Sequence, residues 1–214
     1  MDIYLQWALG CVAAYLLGSV PFGFLIAMAR GIDIRNVGSG NIGATNVFRC
    51  VSKPLGILTF LLDMAKGAAG CCLIPWLVAH AFHGDAASMP LCVTCGFLTV
   101  AGHNWPVFLG FKGGKGVATS AGLLLGLAPI GCGWAFLAWA LVFVITRYVS
   151  VASILAALTL AIVAWPIYFT RYGWWFPVML NVLAALAIAR HHGNIRRLRA
   201  GTESRFTFGR GSHA

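Results

Sequence analysis

Apolar residues in this chain come in long unbroken blocks, and the length of those blocks decides what it can fold into. Each runs for roughly 17 to 25 residues, which carries a helix across about 30 Å of hydrocarbon; a membrane-spanning strand needs only about ten, alternating with polar residues. Helices therefore win over a barrel. With 60% of 214 residues hydrophobic and 9% charged, no soluble domain keeps that surface dispersed in water. The pattern predicts spans over residues 3–29, 54–80, 88–110, 115–131, 132–146, 149–169 and 174–193. This is an all-α, polytopic membrane helix bundle of about seven transmembrane helices. Pro129, Gly131 and Gly133 supply a turn between the short fourth and fifth spans, and residues 115–146 read either as two spans or as one interrupted helix. Asp2 near the start, and no Lys or Arg before Arg30, argue against a cleavable signal, so the first block reads as a retained span.

Orientation follows from the basic residues. Of the 15 Lys and Arg, all but Lys66 and Arg171 fall at connections after the first, third, fifth and seventh spans. The positive-inside rule makes that side cytoplasmic, with the N-terminus outside and the C-terminus inside. Trp and Tyr residues such as Tyr4, Trp105, Tyr148 and Trp174 mark several span ends. No connection is long enough to fold separately, so residues 1–214 read as one domain. Of the seven cysteines, all but Cys50 fall inside apolar blocks and read as small buried residues. Cys92 and Cys95 have redox spacing but lie mid-span with no second pair, and no metal site is expected. A His80 to Asp85 spacing falls on the outer side, opposite the polar stretches below, and reads as coincidence.

Three stretches on the predicted cytoplasmic side are richer in glycine and polar side chains than membrane connections require. The first runs from Gly38 to Asn46, followed by Arg49. Gly38, Gly40 and Gly43 permit close backbone approach; Ser39, Asn41, Thr45 and Asn46 add neutral hydrogen-bonding groups, and Arg49 a two-pronged donor. An anion, foremost a phosphate, fits that set. The glycines also match dinucleotide spacing, but a membrane helix stands where that fingerprint needs a strand. In the second stretch, Gly102 to Pro106 precede Phe111-Lys112-Gly113-Gly114-Lys115-Gly116, where two ammonium groups flank paired glycines. It differs from a P-loop, whose lysine precedes Ser or Thr, and a flexible basic turn is the plain alternative. The third holds His191, Asn194 and Glu203, with Arg147, Ser150 and Ser153 on a neighbouring loop; His191 and Asn194 share a face if the helix continues. Topology accounts for much of the basic charge, most clearly Arg196, Arg197 and Arg199, a cluster that also suits anionic lipid headgroups. Asp63 and Lys66, three apart within a span, read as a mutually compensated pair holding helices together, with reach to the site as the alternative.

These stretches resemble the acyl-phosphate-dependent glycerol-3-phosphate acyltransferase family, the bacterial membrane enzymes called PlsY. The resemblance covers nearly the whole chain: Gly18 to Gly23 with Gly38 to Asn46 and Arg49; Gly102 to Pro106 with Phe111 to Thr119; and His191-His192-Gly193-Asn194 with Gly201-Thr202-Glu203. It implies transfer of an acyl chain from acyl phosphate to the 1-hydroxyl of sn-glycerol 3-phosphate, giving lysophosphatidic acid and phosphate, at the cytoplasmic face of the bacterial inner membrane. Under that resemblance Arg49 and Lys115 balance the donor phosphate and oxyanion, Ser39 and Asn194 donate hydrogen bonds, and His191 orients or deprotonates the acceptor; the donor phosphate is an equal candidate for the base. Gly40, Asn41, Thr45, Asn46 and Ser150 join the substrate-binding set, and Lys112, Gly113, Gly114 and Gly116 are carried over as the glycerol phosphate loop. Glu203 is implied to be structural. An acyl phosphate is already activated, so no cofactor or metal is called for. The expected partners are the two substrates, membrane lipid and the soluble enzyme that makes acyl phosphate, with no nucleic acid. Apart from the resemblance, an organic-phosphate or other anion transporter is the alternative, although such proteins usually bind near the membrane midplane.

Overall fold

The computed structural model describes residues 3–81 and 88–206. Asp2, Asp85 and Arg210, used in the readings above, lie outside these. Among the described residues the chain forms eleven α-helices and no strands. Its contacts cluster into two units, residues 1–129 and 130–214.

The first unit contains α1 (Ile3–Ser19), α2 (Phe22–Met28), α3 (Ala44–Cys50), α4 (Lys53–Ala68), α5 (Ile74–Ala81), α6 (Met89–Asn104) and α7 (Val117–Leu127). A single helix was expected over 3–29, but the chain breaks between α1 and α2 at Pro21, which has no N–H to continue the ladder. A π-helical turn, Ala69–Leu73, links α4 to α5. Glycine lets the helices approach closely. A Cβ at Gly18 of α1 would strike the Thr99 carbonyl of α6, and one at Gly102 of α6 would strike the Tyr15 carbonyl of α1. Gly67 of α4 and Gly122 of α7 stand in the same relation to Thr119 and Met64. Small residues are how membrane helices gain dispersion contact where no hydrophobic effect drives them together. The α1–α6 contact is tied by Thr99 Oγ1, which donates to the Ala14 carbonyl at 3.1 Å, and by Tyr15 Oη, which donates to the Trp105 carbonyl at 2.7 Å.

Most of the second unit is α8 (Pro129–Thr146), α9 (Val149–Tyr172), α10 (Trp175–Arg190) and α11 (His192–Arg199). Residues 115–146, read as two spans or one interrupted helix, form two helices with a break at Ala128, the first of them shorter than a span. The boundary falls earlier than expected, because Pro129 opens α8, where its missing N–H costs nothing, and Gly131 and Gly133 lie inside that helix. Phe176, Leu180, Leu183 and Ala184 are buried on α10. With its amide oriented to satisfy both atoms, Asn181 donates to the Ala161 carbonyl and accepts from the Trp165 indole, each at 2.9 Å, tying α10 to α9. Arg147, just after α8, takes the left-handed conformation at φ 60°, which costs a non-glycine residue roughly 1–2 kcal/mol.

Four stretches are long and apolar enough to cross a bilayer: Ile3–Met28, Lys53–Ala81, Pro129–Thr146 and Val149–Tyr172. The apolar helices Val117–Leu127 and Trp175–Arg190 are shorter, as is the 16-residue α6. The protein is thus an all-helical, multi-pass membrane protein.

Candidate active site

The Gly38–Asn46 loop is organised by a side chain that the sequence suggested for substrate. Asn46, buried on α3, accepts from the Ser39 N–H at 3.0 Å and donates to the carbonyls of Ile34 at 3.2 Å and Val37 at 3.0 Å. Its amide is spent on holding the loop. Asn41 likewise folds its own turn, accepting from the Gly43 N–H at 2.8 Å. Gly38 and Gly40 adopt φ of 59° and 68°, the left-handed region where only glycine is at ease. The result leaves Ser39, Gly40 and Arg49 at the surface, with Arg49 in the last turn of α3 and Thr45 half-buried at its start.

Residues 110–116 form the second loop. Gly110 and Phe111 both take positive φ, 58° and 63°, and Gly116 at φ 76° opens α7. Gly114 N–H donates to the His103 carbonyl at 3.0 Å. A Cβ on Gly113 would meet that same carbonyl, and one on Gly114 would meet the His103 ring. The paired glycines are therefore required by the histidine packed beneath them. Lys112 is exposed and Lys115 half-buried.

Beneath this loop lies a charge cluster that the sequence disclosed only in part. Lys66 Nζ is 2.9 Å from Asp63 Oδ1, as the i, i+3 spacing suggested, with both side chains buried. The same lysine donates to the Val20 carbonyl at 2.8 Å, an acceptor at the helix break before Pro21. His103 Nδ1 lies 3.5 Å from the Asp63 carboxylate. The third member, His103, was legible as part of a motif but not as a neighbour of Asp63, since 40 residues separate them.

In the second unit, the continuing helix on which His191 and Asn194 would share a face is interrupted: α10 ends at Arg190 and Asn194 lies on α11. His191 is the junction between α10 and α11, at φ −91° and ψ 7°, and both side chains are buried. His191 Nδ1 is 2.7 Å from the Ala187 carbonyl; an Nδ1–H donated there makes Nε2 the basic nitrogen. Glu203 gathers the rest. Its Oε1 accepts from Asn194 Nδ2 at 2.6 Å and Ser150 Oγ at 2.7 Å, and its Oε2 accepts from Arg197 Nε at 2.7 Å. Burial alone raises the Glu203 carboxyl, but these three donors outweigh it and hold the group below the usual carboxylate range. Among the described residues no group of three or more His, Cys, Asp or Glu could hold a metal ion.

A family model for glycerol-3-phosphate acyltransferase matches residues 8–201. The chain belongs to the glycerol-3-phosphate acyltransferase family. Relatives bearing that family's name include one from Trichlorobacter lovleyi, 43% identical across 96% of this chain and 99% of its own length. Another, from Aquifex aeolicus, is 45% identical across 91% of this chain and 96% of its own. Among solved structures, the chain is similar to crystal structures of PlsY, an integral membrane glycerol 3-phosphate acyltransferase. The glycerol 3-phosphate form shares 41% identity at a TM-score of 0.80, covering 94% of this chain and 96% of that one. The lysophosphatidic acid form shares 39% at a TM-score of 0.77, covering 94% and 95%. The matched residues 8–201 take in the Gly38–Asn46 and 110–116 loops of the first unit and His191 and Asn194 of the second.

Proposed function

We propose that this protein transfers an acyl chain from an acyl phosphate to the 1-hydroxyl of glycerol 3-phosphate, releasing lysophosphatidic acid and inorganic phosphate. The observation that carries this reading is full-length similarity, above 40% identity, to acyltransferases of that name and to a PlsY structure in its glycerol 3-phosphate form. The acceptor oxygen forms a bond to the acyl carbon while the mixed-anhydride C–O bond breaks and its electron pair leaves with phosphate. Because the donor is already activated, positioning and charge stabilisation suffice, without a covalent enzyme intermediate.

Each residue takes a role its chemistry suits. Arg49 and Lys115 balance the donor phosphate and the developing oxyanion, and Ser39 adds a hydroxyl donor. Asn46 and Asn41 act by holding the first loop. Lys112 with Gly113, Gly114 and Gly116 takes the glycerol phosphate. His191 Nε2 receives the acceptor proton, or orients the hydroxyl while the departing phosphate takes it. Asn194 keeps one amide hydrogen for substrate after the other goes to Glu203, and Ser150 and Glu203 fix that side chain. The seven-span arrangement, N-terminus outside and C-terminus inside, puts these residues on the cytoplasmic face of the bacterial inner membrane, where a soluble enzyme making acyl phosphate delivers the donor.

The deciding measurement is phosphate release from palmitoyl phosphate by protein reconstituted in lipid, with and without glycerol 3-phosphate, with organic products identified in the same tube. Acceptor-dependent release with lysophosphatidic acid formed is the expected result. No turnover by a well-folded sample refutes the reading and points to uptake assays.

A further inference from the structure

At the C-terminal end of α8 the second unit has a cleft of about 290 Å³, lined by Val144, Ile145, Thr146, Arg147, Arg205 and Phe206. Two arginines are among its lining residues and no acidic residue is. Glu203, the acid two residues before Arg205, is committed to Ser150, Asn194 and Arg197. On the other side, Val144 and Ile145 are 70% and 71% exposed in the last turn of a membrane-length apolar helix, so hydrocarbon is their solvent. An occupant that satisfies both walls is anionic at one end and apolar at the other.

The charged wall is held in place. Arg205 lies 5.1 Å over the Tyr148 ring, and Phe206 donates its N–H to the Arg147 carbonyl at 2.8 Å while its ring packs edge-on against Phe143 at 5.3 Å. Arg147 itself occupies the left-handed position after a helix, φ 60°, which glycine fills without strain. A strained conformation kept for an arginine points to use of its side chain. We propose that this cleft binds the phosphate of an anionic glycerophospholipid, with Arg147 and Arg205 on the phosphate and the acyl chains along Val144 and Ile145. None of the six lining residues belongs to the proposed catalytic set, so the inference stands apart from the reaction.

A free phosphate shares this chemistry, and the experiment separates the two. The full-length protein in neutral maltoside micelles is melted with added phosphatidylglycerol, phosphatidylcholine or inorganic phosphate. Phosphatidylglycerol should raise the midpoint saturably and the other two should not. Loss of each arginine should weaken the apparent affinity about fivefold. Arg147→Gly is the sharper variant: relief of strain should leave its lipid-free midpoint equal or higher while its lipid response weakens. A purely structural role would lower that midpoint and leave the lipid affinity intact. Arg205→Ala provides the same affinity test should Arg147→Gly fold poorly. The proposal is overturned by no response to phosphatidylglycerol, by an equal response to inorganic phosphate, or by a response retained in the double variant, which would move lipid binding to Arg196, Arg197 and Arg199.

Discussion

Lys66 sits well inside a 29-residue apolar stretch, where an isolated charge is costly. Asp63 compensates it at 2.9 Å and the Val20 carbonyl takes another of its protons. Lys66→Met should therefore cost about 3–5 kcal/mol by taking from Asp63 its closer partner and leaving the His103 ring at 3.5 Å, whereas Asp63→Asn with Lys66→Met should recover most of that loss; melting midpoints of the single and double variants in detergent test this. For the reaction, Arg49→Ala and His191→Ala should abolish turnover with the protein still folded and inserted, and near-full activity in either would remove that residue from its role. Lys112→Ala should raise KM for glycerol 3-phosphate with little change in kcat; the reverse pattern would assign it to the chemical step. At this scale residue type and context single out Arg49, Lys115 and His191 as candidates, while side-chain partners are harder to read. That Asn46 spends its amide on the carbonyls of Ile34 and Val37 depends on how a loop folds back, which residue type does not encode.

Helices α4 and α7 meet through glycine, and Gly122 stands against the Met64 carbonyl with no room for a Cβ. Gly122→Leu should force that pair apart, destabilising the first unit by about 1–3 kcal/mol and disturbing the Gly113–Gly116 loop that leads into α7; a lowered midpoint together with a raised KM for glycerol 3-phosphate is the expected outcome. In the second unit the clasp on Glu203 predicts a pH dependence. Its folded carboxyl lies below the ordinary 4.5, so its contribution is complete above that value and is lost as pH falls through the depressed one. The acid-induced fall in midpoint should be shallower in Glu203→Gln, which starts less stable; parallel curves would refute the clasp. All-helical, apolar character was legible from block lengths, whereas the described residues divide into eleven α-helices, more pieces than the blocks suggest. The breaks at Pro21, Ala128 and His191 were less so, because hydropathy is continuous through the first two and a helix-compatible residue stands at the third.

For the molecule as a whole, the proposed orientation rests on charge: thirteen of the 15 Lys and Arg fall at alternate connections of the proposed spans, the side the positive-inside rule assigns to the cytoplasm. Fusing a reporter active only inside the cell to the C-terminus, and one active only outside to the N-terminus, should give signal from both; the opposite pair of signals would invert the topology. The break at Pro21 also bears on how the chain is made. Asp and Lys at the centre of a membrane segment each oppose insertion by about 2.5–3.5 kcal/mol, and the segment bearing Asp63 and Lys66 emerges from the ribosome after the one bearing Val20. A neutral ion pair eases its entry, but the lysine finds its backbone acceptor only if the earlier helix is still alongside. On this account the first segment is an assembly template for the second: Pro21→Ala, which restores an N–H to the ladder, should insert its first helix normally and the next less efficiently, as read by glycosylation mapping of the two segments, and equal insertion of both would refute it.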